Sequence, residues 1–130
     1  MVVLVQREAQ SLVRKWIPIF FVPLMVVAAT QLCWAHAILT QSTPKLGSTV
    51  KGPDVDIVLR FNVRIDASRS RVRLLAPDGT VSTLALANQT SPDSLQTHAT
   101  RLMPGVYKIQ WQVLASDGHI SRGEISFTVN

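Results

Sequence analysis

Strict alternation constrains this chain most. From Tyr107 to Val113 every second residue is apolar, with Tyr107, Ile109, Trp111 and Val113 set against Lys108, Gln110 and Gln112. Period two sends successive side chains to opposite faces, so the segment reads as half-buried antiparallel strand. The pattern recurs with Ile57, Leu59, Phe61 and Val63 in 56–63, with Val72 and Leu74 in 71–74, and along 124–129. Thr80 to Ala87 predicts a further strand, and Leu95 to Ala99 a short one. Turn formers separate them: Ala76-Pro77-Asp78-Gly79, the polar run 88–93 with Pro92, and Pro104-Gly105. No segment after His36 has a sustained helical period. Six or seven short strands predict an all-β fold, a Greek-key barrel or immunoglobulin-like sandwich, with Trp111 in its core.

The residues before His36 are of another kind. Arg7, Arg14 and Lys15 precede an apolar run from Trp16 to Ala29, followed by Thr30-Gln31-Leu32-Cys33-Trp34-Ala35. A basic start, an apolar stretch of ~7–15 residues and small residues at the cut describe a secretory signal peptide. Pro18 and Pro23 disfavour the alternative, an uncleaved spanning helix of ~20 residues. Cutting before Cys33 as a lipoprotein would put bulky Leu32 where a small residue is wanted. Residues 1–35 are therefore expected to be removed between Ala35 and His36, leaving 36–130 as one exported domain. With 130 residues the chain has no room for a multi-domain enzyme, and its single cysteine, Cys33, cannot pair within it.

Of 13 basic and 8 acidic residues, Arg7, Arg14, Lys15 and Glu8 leave with the signal, so the remainder carries a net +3. That balance, with dispersed arginines, does not favour nucleic acid. Arg69, Arg71 and Arg73 alternate along a predicted strand and read as a solvated face.

Three histidines remain: His36, His98 and His119. As the first residue after cleavage, His36 would offer an α-amine and a ring nitrogen to one ion. Both can be neutral near pH 7, with reference pKa values of ~7.7–8.0 and ~6.5. Asp117-Gly118-His119 follows the strongest strand, and residues i and i+2 of an extended segment project to one side. Together they supply three nitrogens and a carboxylate oxygen, a set that suits Cu(II) in tetragonal geometry or Zn(II) in tetrahedral geometry. Without the metal, Asp-Gly is a common turn and its neighbouring histidine simply exposed.

His36-Ala37-Ile38-Leu39-Thr40-Gln41-Ser42-Thr43-Pro44 with Gly47 and Val50 resembles the start of the CopC family of exported copper-binding proteins. Leu102, Pro104-Gly105, Tyr107, Trp111, Val113, Ser116-Asp117-Gly118-His119, Gly123 and Phe127 match its far end. The resemblance implies a seven-stranded Greek-key β-barrel that binds one Cu(II) at one end. His36, Asp117 and His119 are the ligands it implies, with a possible handover of copper to a CopD-like membrane protein. Two departures stand out. The methionine-rich Cu(I) loop of some members has no counterpart, Met103 being alone, and Val63 stands where some carry a glutamate, with Asp66 a little beyond.

The expectation is a periplasmic or otherwise extracytoplasmic Cu(II)-binding protein, not an enzyme, no longer attached to a membrane once its signal is cut. Two rivals are a small copper enzyme built on a terminal-histidine chelate and a metal-free immunoglobulin-like interaction module. His98 matches no ligand position and is expected to be merely exposed.

Overall fold

The computed structural model describes residues 36–130. The expected signal peptide, residues 1–35, lies outside the described residues. Eight strands follow in order: β1 (Leu39–Thr43), β2 (Thr49–Val50), β3 (Val55–Phe61), β4 (Ile65–Leu75), β5 (Val81–Leu84), β6 (Ser94–Ala99), β7 (Gly105–Ala115) and β8 (Ile120–Val129). They form two sheets, β1-β3-β6 and β2-β8-β7-β4-β5, all antiparallel except the short β2–β8 pair. Only β4–β5 and β7–β8 are sequential hairpins; the other connections switch sheets, which gives the immunoglobulin-like sandwich expected from the alternation.

The inward positions of the predicted strands make the core. Leu59, Val72, Ile109 and Val113 are fully buried, with Ile57, Phe61, Tyr107, Phe127 and Val129 around them. Burying such side chains contributes about 1.5–3 kcal/mol each, the main gain available to a domain of this size. Tyr107 stacks on Phe127 at 5.7 Å between centroids, and its hydroxyl donates to the Met103 carbonyl at 2.9 Å. Buried Thr97 donates to the Ala85 carbonyl at 2.7 Å. Among the described residues, no buried side-chain polar atom lacks a partner.

Three elements differ from the alternation reading. β4 runs from Ile65 rather than Arg71, because a bulge between Asp66 and Arg71 breaks the period-two signal while pairing with β7 resumes on both sides. β5 stops at Leu84, yet Leu84 and Leu86 still pack on the core, Leu86 through an isolated bridge to Thr97. Trp111 faces inward but is only partly buried, edge-on to Phe61 at 6.3 Å.

Candidate metal centre

One end of the sandwich gathers the predicted site residues. The β7–β8 hairpin turns at Ser116–His119, where Gly118 has φ +91°, a conformation that L side chains rarely adopt. The Ala115 N–H donates to the His119 carbonyl at 2.8 Å and the Gly118 N–H to the Ala115 carbonyl at 2.9 Å. Ser116 N–H donates to the Arg64 carbonyl at 3.0 Å, tying the turn to the β3–β4 connection. Asp117 and His119 therefore meet through a tight turn, not through the strand alternation that the i, i+2 spacing suggested.

Within that turn the Asp117 carboxylate accepts the His119 backbone N–H at 3.0 Å, and its other oxygen lies 3.0 Å from His119 Nδ1. The backbone N–H of His119, followed by the His119 side chain, holds the Asp117 carboxyl below its ordinary pKa, so it is ionised at neutral pH. With the proton on the Nδ1 that faces Asp117, Nε2 of His119 presents a lone pair. Both side chains are accessible to solvent.

The segment leading into β1 brings His36 to the same place. Ala37 is buried, and its N–H donates to Ser121 Oγ on β8 at 3.0 Å. Ile38 and Asn62 clasp each other: the Ile38 N–H donates to Asn62 Oδ1 at 2.7 Å, and the Asn62 N–H to the Ile38 carbonyl at 3.0 Å. These contacts set the His36 and His119 rings 6.1 Å apart between centroids, at 73°. Two imidazoles whose nitrogens sit ~2.0–2.1 Å from one ion have centroids roughly 4.5 Å apart when cis and roughly 6.5 Å when trans. The separation lies in that span, and two imidazoles beside a carboxylate suit a divalent ion that prefers nitrogen and oxygen. The donors are not yet closed around a point: among the described residues no group of three or more His, Cys, Asp or Glu is assembled tightly enough to hold a metal.

The remaining candidates lie elsewhere. His98 Nδ1 contacts Asp56 Oδ1 at 2.6 Å, as cross-strand partners on β6 and β3, near the end of β3 away from Phe61 and β1. Asp66 is engaged in the β4 bulge by Ser68 and Arg69. Met103 is exposed beside Pro104. Sequence reasoning missed Ser121 and Asn62, which hold the residues next to His36; nothing in an isolated serine or asparagine announces that role.

The sandwich, with His36 and the Asp117–His119 turn at one end, is a small β-domain of a recognisable class. The CopC domain model matches residues 39–130, and the chain belongs to the CopC family. Protein YobA of Escherichia coli (strain K12) is 29% identical over 103 residues, 77% of this chain and 83% of YobA. The crystal structure of CopC from Methylosinus trichosporium OB3b superposes with a TM-score of 0.66 at 28% identity, covering 73% of this chain and 94% of that one. PcoC, a methionine-rich copper resistance protein from Escherichia coli, gives 0.61 at 28% identity, covering 74% and 100%.

Proposed function

We propose that this chain is made as a precursor with a signal peptide at 1–35, and that its 36–130 domain is an exported, extracytoplasmic Cu(II) carrier for copper homeostasis or resistance. Its chemistry is coordination and release rather than catalysis. One ion per domain would be held by the α-amine and ring of His36, the Asp117 carboxylate and the His119 ring. The observation that carries this reading is the 6.1 Å approach of the His36 and His119 rings, with Asp117 already oriented on His119. Membership of a family whose structurally characterised relatives include a copper resistance protein supports copper as the cargo.

Cleavage matters chemically. While Ala35 is attached, the His36 nitrogen is an amide and cannot act as an amine donor; cutting that bond creates the chelate. Soft Cu(I) favours sulfur ligands, and Met103 is the only sulfur in 36–130, so reduction weakens binding and supplies a release step. Handover to a CopD-like membrane protein would follow that release.

Titrating a domain that begins at His36 and one that begins at Ala35 with Cu(II) tests the assignment. The first should bind one equivalent at least tenfold more tightly, and both should bind Cu(I) more weakly than Cu(II). Equal Cu(II) affinities, or tighter Cu(I) binding, would overturn it.

A further inference from the structure

The outer face of the five-stranded sheet carries a feature that metal binding does not use. Outward side chains there fall into rows across the strands. One row is Arg71, Gln112 and Arg122, from β4, β7 and β8; the next is Arg73, Gln110 and Glu124. Together with Trp111 and Gly123 between them, these rows line a groove of about 400 Å³.

The groove is basic. Neither Arg71 nor Arg73 joins an ion pair among the described residues. Arg122 Nε donates to Gln112 Oε1 at 3.0 Å, which orients the guanidinium without neutralising it. Among the described residues of the lining Glu124 is the sole acid, and it is occupied by Lys108 at 3.1 Å and Gln110 at 3.2 Å.

Apolar residues surround this charge. Six large hydrophobic residues are notably exposed among those described, and three of them, Val81, Val106 and Ile120, belong to this one face. Val81 pairs with Leu75, Val106 lies two residues before Lys108, and Ile120 pairs with Leu114 and directly follows His119. They flank the groove on both sides, Ile120 in the row beyond Arg122, and Val81 and Val106 in rows beyond Arg73. Exposed apolar groups around uncompensated arginines mark a protein-docking surface.

We propose that this sheet face docks a partner polypeptide through a carboxylate-rich segment, with Arg71, Arg73 and Arg122 as the receiving charges. Arg71 and Arg73, two positions apart on β4, stand ~6.5–7 Å apart along the strand, the spacing of alternate residues in an extended peptide. A free small anion would leave Val81, Val106 and Ile120 unused. The flat footprint is on the order of 400 Å², at the transient end of protein interfaces. Ile120 brings the edge of the docked partner next to His119.

The test uses the metal-free 36–130 domain, so its outcome does not depend on the copper assignment. A fluorescent peptide of alternating glutamate and serine is titrated at low salt, with phosphatidylglycerol vesicles in parallel. The peptide should bind native protein with strongly salt-dependent affinity. R71Q/R73Q should weaken it about tenfold, whereas K45Q/K51Q, with the same charge loss outside the groove, should change it less than twofold. E124Q should strengthen it. No binding of the peptide, equal weakening by the two double variants, or arginine-dependent binding to vesicles alone would overturn the proposal. Thermal unfolding checks that each variant is folded.

Discussion

Asp117 holds the ring of His119 from within the same turn: one carboxylate oxygen lies 3.0 Å from Nδ1 while the other accepts the His119 backbone N–H at 3.0 Å. The imidazole is thereby aimed before any ion arrives. Replacing Asp117 by Asn keeps the turn geometry but removes the charge. We expect D117N to lower Cu(II) affinity by about 10–100-fold, and H119A to lower it further. H98A should leave it unchanged, because His98 is committed to Asp56 on another part of the sandwich. Competition titrations of the three variants check this ranking.

His36 is placed by its neighbours. Ser121 Oγ accepts the Ala37 N–H and Asn62 Oδ1 accepts the Ile38 N–H. Removing both acceptors should cost about 1–3 kcal/mol in stability, since such bonds are worth ~0.5–1.5 kcal/mol each. The loss of preorganisation should weaken Cu(II) binding by about fivefold to tenfold. S121A/N62A measured by chemical unfolding and by metal titration separates the two effects. Unchanged metal affinity would mean that the ion itself orders the segment.

Legibility followed physical cause. β7, β8 and β3 were readable because each buries one face, and burial imposes period two on the residues. β1 was not, since in Leu39–Thr43 only Leu39 is apolar and the strand exists because β3 offers it an edge. The β4 bulge hid six residues of strand because Asp66 to Arg71 spans five positions against two on β7, and that odd excess of three shifts the alternation. At the candidate site, Asp117 and His119 stand out in the sequence by their types, and a tight turn rather than the strand alternation brings them together. Ser121 and Asn62 do not stand out, because a backbone acceptor can come from many residues. Arg71 and Arg73 read as a solvated face, and only the register with β7 and β8 shows that Arg122 joins them.

The bulge should respond to acid. The Ser68 hydroxyl, then the Arg69 and Ser68 backbone N–H groups and the Arg69 charge, hold the Asp66 carboxyl below its ordinary value of 3.8. A depressed folded-state pKa means that stabilisation is present above the unfolded value and is lost as pH falls through the folded one. Bulge contacts should therefore persist at pH 4–7 and loosen only below pH 3.8. The Ser68 amide resonance, followed by NMR from pH 6 to 2, should titrate with a midpoint under 3.8. In D66N that transition should vanish while the rest of the spectrum is preserved.

Gly123 gives a prediction whose sign is diagnostic. Alanine in place of glycine within a strand ordinarily helps, by roughly 0.5–1 kcal/mol, because it restricts the unfolded chain. Here a Cβ at position 123 would collide with Trp111 Cζ2 and come within 2.8 Å of its Cε2. The indole cannot swing freely, since its other side meets Phe61 edge-on at 6.3 Å. Relief requires moving a rigid ring or the β7–β8 pairing, at a cost of about 1–3 kcal/mol. G123A should therefore destabilise the domain and shift tryptophan emission, Trp111 being the only tryptophan in 36–130. Truncating the ring in W111L/G123A should recover most of the alanine penalty relative to W111L alone. A stabilising G123A would show that the indole is free to leave its seat over the glycine.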